Sequence, residues 1–202
     1  MANRTSKTLR EKAGGYGNSV LYRMCAEQPK HKSINIISSK IWIIGRAYAA
    51  AIERKATKRY KKSVKNGDDF CQKKVAPIVK NSEIDKWIKG VSHIHKVTSE
   101  NLNGVLECHK KVTDLFRKAA GLNRRSLASK YLHFHAPNVF FIYDSRANKR
   151  VRKEIKKLPF KDQPQFDRKK HDLEYAAFCI RCICFRDTLE KRLGEKDDST
   201  DA

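Results

Sequence analysis

Acidic residues are scarce in this sequence. Its 202 residues include 22 Asp and Glu against 45 Lys and Arg, which gives a formal net charge of +23. A chain with such an excess of cations repels itself, and the usual reason to tolerate it is a polyanionic partner, most often nucleic acid. A ribosome-associated or membrane-surface protein is the alternative that the charge leaves open.

Long apolar runs are also missing. No stretch reaches the roughly 18 apolar residues of a membrane span, and the polar first residues lack the apolar segment of a secretory signal. The six cysteines are scattered rather than arranged as a short secreted framework. We therefore expect reduced thiols and a cytoplasmic or nucleoid-associated bacterial protein. Cys179, Cys182 and Cys184 lie in an amphipathic segment, which favours buried free thiols over metal ligands; no metal and no cofactor are expected.

Few segments alternate between apolar and polar residues, so the pattern predicts an all-α, mostly helical fold. Residues 1–30 are predicted to form an irregular basic arm, residues 31–193 a single helical domain, and residues 194–202 a disordered tail. A helix is expected over about 34–60, and the most regular one ends at Gly121. The one extended candidate, 138–143, is too short to make a sheet alone.

The stretch from Gly121 to Asp144 is the most informative part of the chain. A helix that stops at a glycine and restarts after a short basic turn presents free N–H groups and the positive end of its dipole, which together bind phosphate. Asp144 then follows an apolar segment inside a very basic neighbourhood. This order of elements raises the question of what an acidic group does there.

The same order resembles the helix-hairpin-helix DNA glycosylase superfamily, which includes the 8-oxoguanine glycosylases. The sequence GLNRRSLA at 121–128 looks like the family's hairpin, within about 115–135, and FIYDSRANKRV looks like its invariant-Asp segment, within 139–152. The resemblance implies a two-lobed architecture with a cleft between the lobes. It also implies that Asp144 is the catalytic carboxylate, which stabilises positive charge developing on the deoxyribose and orients or deprotonates a water.

Two departures from the family pattern bear on the reaction. Asn123 stands where the hairpin usually has a second glycine, and asparagine tolerates a positive φ better than most residues. Arg124 or Arg125 stands where members with lyase activity have a lysine, and a guanidinium stays protonated and cannot form a Schiff base. The resemblance thus implies a monofunctional enzyme that removes a base without cutting the backbone. Lys130, about one turn onward, is a possible displaced nucleophile.

The resemblance further implies a monomer that binds double-stranded DNA with a flipped, modified base, and no membrane partner. It places the enzyme in base-excision repair or in anti-phage defence against modified DNA, which the sequence does not separate. The residues expected to bind DNA are Gly121, Asn123, Arg124, Arg125, Ser126, Lys130, Arg146, Lys149 and Arg150. The residues expected to wall the base pocket are Trp42, Arg46, Tyr48, His133 and His135.

Three other interpretations remain open at this point. In the first, Asp144 serves simply as the N-cap of the next helix, beside Arg146. In the second, the protein is a non-catalytic nucleic-acid-binding module that uses the hairpin as a phosphate clamp. A structural or ribosome-associated basic protein would instead prefer RNA to DNA.

Overall fold

A computed structural model describes residues 17–54, 56, 66–158 and 166–198. These residues form eight helices and no β-strand, which confirms the all-α prediction. Helix α3 is built from three consecutive pieces, of which the middle one is a π-helical turn. The helices are α1 (17–27), α2 (Ile34–Ala47), α3 (Gly67–Phe70, Cys71–Val75 and Ala76–Lys80), α4 (Ile84–Val91), α5 (Leu102–Ala120), α6 (Arg125–His135), α7 (Ser145–Glu154) and α8 (Leu173–Asp198).

Helix α5 runs through the core. Its apolar residues recur at helical spacing, and Val105, Leu106, Val112 and Phe116 are all buried. Each such side chain stabilises the fold by about 1.5–3 kcal/mol on removal from water. The helix ends where predicted, at Gly121, whose φ of 75° is left-handed and whose N–H donates to the carbonyl of Arg117 at 2.7 Å.

Helix α2 is shorter than predicted. Ser33 caps its start, but it ends at Ala47 instead of continuing to about residue 60. Ala49 adopts a left-handed φ of 51°, and the N–H of the following Ala50 donates back to the carbonyl of Gly45 at 2.7 Å. The chain thus folds back on the helix in a turn made almost entirely of alanines, a local event that the helical periodicity does not reveal. Residues 55 and 57–65 lie outside the described residues.

The predicted boundaries at the two ends were also wrong in part. Residues 17–27, assigned to an irregular arm, form α1, in which Leu21 and Cys25 lie one turn apart and are both buried. Helix α8 continues to Asp198, beyond the predicted start of the tail at residue 194. The rest of the predicted arm and tail, residues 1–16 and 199–202, lies outside the described residues.

The cysteines of α8 match the expectation of buried free thiols in part, because Cys179 is buried whereas Cys182 and Cys184 are half-buried. All six cysteines are free, and Cys179 is fully buried in α8. Among the described residues, no group of three or more His, Cys, Asp or Glu side chains is placed to hold a metal ion. Residues 136–144 connect α6 to α7. Residues 137–139 form a turn and residues 140–144 have no regular secondary structure, so the predicted extended segment 138–143 begins inside a turn. Within the described ranges, no helix combines the length and the apolar character needed to cross a membrane.

Candidate nucleic-acid interface and active site

Helices α5 and α6 form the predicted hairpin around the turn 121–124. The side chain of Asn123 accepts a hydrogen bond from the N–H of Arg125 at 2.8 Å and so closes the turn. The N–H groups of Ser126 and Leu127 lie in the first turn of α6, where an α-helix has no internal acceptor for them. With the positive end of the helix dipole, these amides form a site suited to a phosphate.

The two arginines of the hairpin make internal contacts. Arg124 donates to the carbonyl of Arg54 at 2.5 Å. Arg125 donates through Nε to both oxygens of Asp172, at 2.8 and 2.7 Å, and through Nη1 to Glu174 at 2.6 Å. Burial pushes the pKa of Asp172 upward, but the hydrogen bonds and charge of Arg125 outweigh it and hold that pKa below its usual value. Arg125 therefore braces the hairpin against the start of α8.

Asp144 is the N-cap of α7. Its backbone is extended, and its Oδ1 accepts a hydrogen bond from the N–H of Ala147 at 2.8 Å. The N-cap geometry, which the sequence offered as the alternative to a catalytic role, is thus present. The cap bond engages Oδ1 and leaves Oδ2 outside it, and the side chain as a whole is 39% exposed.

Ser129, a residue that sequence reasoning did not single out, holds the Asp144 segment against the hairpin. Its buried hydroxyl accepts a hydrogen bond from the N–H of Tyr143 at 3.0 Å and donates to the carbonyl of Ser126 at 3.0 Å. The bond between Tyr143 and Ser129 joins residues that are 14 apart in the chain. The carboxylate is thereby fixed relative to the first turn of α6.

Lys130 lies beside Asp144. Its Nζ is 3.9 Å from Oδ2 of Asp144, donates to Oγ of Ser126 at 2.8 Å, and sits 5.7 Å from the centre of the Tyr48 ring. The lysine side chain is only 2% exposed. Burial lowers the pKa of Lys130, and the charge of Asp144 opposes this shift.

Two cavities flank this site and share Tyr143 as a wall. Asp144 lines neither cavity, but its neighbour Tyr143 lines both and its neighbour Ser145 lines one of them. The first, here called the hairpin cavity, has a volume of about 590 Å³ and is lined by Ala49, Ala50, Ala51, Arg54, Asn123, Arg124, Arg125, Ser126, Leu127 and Tyr143. The second, the α7 cavity, has a volume of about 510 Å³ and is lined by Tyr143, Ser145, Asn148, Lys149, Arg152, Lys153 and Glu174.

Tyr143 is held rigidly between the two cavities. Its hydroxyl donates to Glu174, and the guanidinium of Arg125 lies 5.5 Å from the centre of its ring. Burial, followed by the interactions with Glu174, raises the pKa of Tyr143. The phenol therefore stays neutral at physiological pH and presents an aromatic surface to both cavities.

Helix α7 carries the exposed cations of the site. Val151 is its buried residue and Ala147 packs against the core, so the helix turns its charged side chains outward. Among these cations, Arg150 forms an exposed ion pair with Glu154 at 2.9 Å. The outward cations are Arg146, Lys149, Arg150, Arg152 and Lys153.

Of the five residues expected to wall a base pocket, the structure brings Tyr48 to the Asp144 site, through its contact with Lys130. The Tyr48 hydroxyl donates to Asn18 of α1 at 2.7 Å. Trp42 and Arg46 lie elsewhere on α2, and neither lines the hairpin cavity or the α7 cavity.

The two histidines face away from Asp144 into the protein. His133 is bonded at Nδ1 to the carbonyl of Phe140 and at Nε2 to the hydroxyl of Tyr22, both at 2.7 Å. His135 packs its ring 5.0 Å from that of His31. Burial lowers the pKa of His135 well below its usual value. Both side chains brace α6 rather than line a cavity next to Asp144.

Linked hydrogen bonds connect Asp85, His31 and Tyr131 next to α6. Asp85 is bonded to Nδ1 of His31 at 2.6 Å, and Nε2 of His31 is bonded to the hydroxyl of Tyr131 at 2.7 Å. Burial lowers the pKa of His31 despite its bond to Asp85, and the nearby charge of Lys40 acts in the same direction as burial. These hydrogen bonds hold α4, α6 and the segment before α2 together.

Asp172 and Glu174 are further site residues that sequence reasoning missed. They lie almost fifty residues after Arg125, so no local motif connects them to the hairpin. One signal in the sequence could have indicated them. Acidic residues are scarce in this basic chain, so carboxylates at the start of a helix are expected to bind nearby cations.

No protein-family model matches this chain, and neither the curated proteins nor the solved structures contain a match to it. Its function must therefore be argued from the site itself.

Proposed function

We propose that this protein is a monofunctional DNA glycosylase, which flips a damaged or modified base out of double-stranded DNA and hydrolyses its N-glycosidic bond. Its role is base-excision repair or anti-phage defence against modified DNA. The proposal includes the cleft of a two-lobed enzyme, formed at the surface around Asp144 between the hairpin cavity and the α7 cavity. It also includes a monomeric state and a cytoplasmic or nucleoid location.

One observation carries the proposal: the Asp144 carboxylate is fixed beside a hairpin whose amides suit a phosphate. Ser129 holds the preceding residue to α6, and the N-cap bond orients one carboxylate oxygen. A carboxylate held in place needs no reorganisation when positive charge develops in front of it, which is the condition for effective electrostatic stabilisation.

The reaction needs three things from this site. A phosphate next to the target nucleotide binds the amides of Ser126 and Leu127, which positions the sugar. The free oxygen of Asp144 faces the anomeric carbon as the bond to the base breaks and the sugar becomes cationic. The same oxygen orients or accepts a proton from the water that attacks this carbon.

The cations of α7 supply the binding energy for the backbone. Lys149, Arg152 and Lys153 line the α7 cavity, next to Tyr143. Each phosphate neutralised by such a side chain releases counterions, so binding weakens as salt rises. The site then combines phosphate binding on both sides of the carboxylate with an aromatic wall between them.

Asp144→Asn tests this proposal with little disturbance of the fold, because asparagine caps helices about as well as aspartate. Duplexes that carry different altered bases are incubated with enzyme and then heated in alkali. We expect strand scission only after the alkali step, and at least a 100-fold lower rate for Asp144→Asn. Mass spectrometry of bases released from damaged and phage genomes identifies the substrate. Equal rates for the two proteins would overturn the assignment of Asp144.

The N-cap bond itself favours a second candidate, a non-catalytic nucleic-acid-binding module. In that case Asp144 serves only to start α7, and the hairpin is a phosphate clamp. This function predicts that no duplex yields abasic sites, while Asp144→Asn binds DNA with unchanged affinity. The same assay therefore separates the two candidates.

A further inference from the structure

A groove between α2 and the π-helical turn of α3 lies apart from the Asp144 site. Its volume is about 420 Å³. Trp42 forms one wall and is 38% exposed, and the other large hydrophobic side chains exposed among the described residues are leucines of α8. The groove, here called the Trp42 groove, is lined by Asn35, Ser38, Ser39, Trp42, Ile43, Cys71 and Gln72.

The Trp42 groove combines an aromatic ring and the apolar side chains of Ile43 and Cys71 with uncharged polar groups. The side-chain amide of Gln72 donates to the carbonyl oxygen of Asn35 at 3.1 Å. This bond leaves the amide nitrogen of Asn35 as a donor and the carbonyl oxygen of Gln72 as an acceptor for a ligand. An aromatic face beside a neighbouring donor and acceptor matches a nucleobase, which stacks on one surface and is bonded at its edge.

The π-helical turn places Gln72 in this groove. A π turn holds one more residue than an α turn, and such turns occur frequently at functional sites. Here the turn spans Cys71–Val75 and packs against α2, so that Gln72 reaches Asn35 across the groove. The pairing of the two amides thus depends on an irregular element of the backbone.

A cation stands next to the aromatic wall. The guanidinium carbon of Arg46 lies 5.6 Å from the centre of the Trp42 ring, and Nη2 of Arg46 is bonded to Glu53 at 2.6 Å. The Arg46 side chain remains 44% exposed. It therefore stiffens the tryptophan and keeps N–H groups free for the phosphate of a nucleotide stacked there.

Arg46 also links this groove to the hairpin cavity. Its partner Glu53 precedes Arg54, which lines the hairpin cavity. From Trp42 to the end of α2 at Ala47 the helix rises by about 7.5 Å at 1.5 Å per residue. The end of α2 and the alanine turn after it thus connect the Trp42 groove to one wall of the hairpin cavity.

We propose that the Trp42 groove binds a second, unpaired nucleobase, distinct from the base that is excised at Asp144. Trp42 stacks on its face, Asn35 and Gln72 bind its edge, and Arg46 contacts its phosphate. The inference rests on the proposed function only in requiring a nucleic-acid strand at the hairpin. It does not require that Asp144 be catalytic.

Fluorescence reports directly on this site, because the chain has two tryptophans and Trp87→Phe leaves Trp42 alone. Full-length protein with this change is titrated with single-stranded oligothymidylate and with a fully paired duplex of the same length. We expect quenching by the single strand and little by the duplex. Trp42→Ala should weaken single-strand binding about 5- to 150-fold, the range for one stacked base, and change duplex binding less than twofold.

Controls keep the test decisive. Leu189→Ala removes another exposed hydrophobic side chain, on α8, and should leave both affinities unchanged. Trp42→Phe retains a ring and should restore part of the single-strand affinity, which a folding defect would not. Circular dichroism and the melting temperature verify that each variant is folded.

Two results would overturn the inference: unchanged single-strand affinity in Trp42→Ala, or equal quenching by single strand and duplex. Asp144→Asn in the Trp87→Phe background separates failure of the second binding site from failure of the proposed function, because it removes the carboxylate and leaves Trp42 in place. Quenching that persists while no duplex yields abasic sites refutes the glycosylase alone. Base release that persists while Trp42→Ala binds normally refutes the second site alone.

Discussion

The ammonium nitrogen of Lys130 lies 3.9 Å from Oδ2 of Asp144, and the lysine side chain is almost completely buried. Ser126 at the start of α6 binds the same nitrogen at 2.8 Å. The cation is thus anchored on the hairpin and faces the carboxylate oxygen that the N-cap bond leaves free. We infer that Lys130 positions Asp144 and does not itself reach the substrate.

Lys130→Met should therefore slow base release at least tenfold, because the side chain keeps its packing but the carboxylate loses the charge that orients it. The free energy of unfolding should change little, since removal of a buried charge also removes its desolvation cost. Single-turnover rates and urea denaturation measure the two effects. Ser126→Ala, which removes only the anchor of the ammonium group, should show a smaller loss of rate.

The wild-type protein should also form no covalent adduct with DNA in the presence of borohydride, because the Lys130 side chain is only 2% exposed. Burial nevertheless lowers the pKa of Lys130, and a lowered pKa is what an amine nucleophile requires. An adduct that forms with wild type and disappears in Lys130→Met would show lyase activity and contradict the monofunctional assignment.

Substitution of two glycines tests how closely the alanine turn after α2 packs against that helix. A Cβ on Gly45 would lie 3.1 Å from the Cα of Ala51, whereas one on Gly90 would meet no atom within 4 Å. Gly90→Ala in α4 should stabilise the protein by about 0.5–1 kcal/mol through helix propensity. Gly45→Ala should instead destabilise it by about 1 kcal/mol or more and reduce base release, because backbone must move. Equal effects of the two changes on urea denaturation would contradict the close approach.

Arg125 is expected to contribute more to stability than to direct DNA contact. Arg125→Met leaves Asp172, whose side chain is 5% exposed, without its cation, which typically costs about 3–5 kcal/mol. Arg150→Met, which breaks the exposed pair with Glu154, should cost less than about 1 kcal/mol. Denaturant unfolding of the two variants measures the difference, and similar losses would show that the buried pair is not a brace.

Asp172, the acidic partner of Arg125, makes the stability of the fold depend on pH in a definite direction. The pKa of Asp172 is lowered in the folded protein, so the pair stabilises the fold above the unfolded pKa of about 3.9. This contribution disappears as the pH falls through the folded pKa. The Asp172→Asn variant should therefore lose less stability on acidification than wild type.

Buried histidines predict a loss of stability at milder acidity. Burial lowers the pKa of His31 and of His135, and lowers that of His109 to about 3. Below about pH 6.5 the unfolded chain binds protons at these histidines that the folded chain does not. Stability is thus full above that pH and falls as the pH decreases toward the folded pKa values, by up to about 1.4 kcal/mol per pH unit for each histidine.

His109→Phe checks this prediction at one position. The ring of His109 stacks on that of Tyr175 at 3.6 Å, and phenylalanine preserves the stack without a titratable group. The slope of the unfolding free energy between pH 6 and pH 4, at roughly 1.4 kcal/mol per unit for one proton, should decrease by up to that amount. An unchanged slope would mean that His109 does not resist protonation in the fold.

The local parts of this fold could be predicted from the sequence. Helix α5, its glycine stop and the N-cap at Asp144 depend on residues within one or two turns of each other, which periodicity and capping preferences report. The end of α2 depends on the close approach of Gly45 to Ala51, and α1 follows a glycine-rich start. Such tertiary and backbone effects leave no periodic signal.

The site was predicted less completely for the same reason. Arg125 carried the charge expected of a DNA contact, but carboxylates of α8, distant in sequence, bind it. Trp42 was expected beside the flipped base, yet its position on α2 places it in another groove. Ser129, which fastens Asp144 to the hairpin, looked like an ordinary helical serine.

The alanine turn after α2 limits how the hairpin cavity can evolve. Its wall opposite the hairpin consists of Ala49, Ala50 and Ala51, so methyl groups and main chain set its width. Almost any replacement there adds bulk and narrows the space, and hardly any can enlarge it. A cavity for a larger ligand would therefore require a shorter loop or a displaced backbone. A single amino-acid substitution in this turn would be enough to restrict the cavity to a smaller ligand.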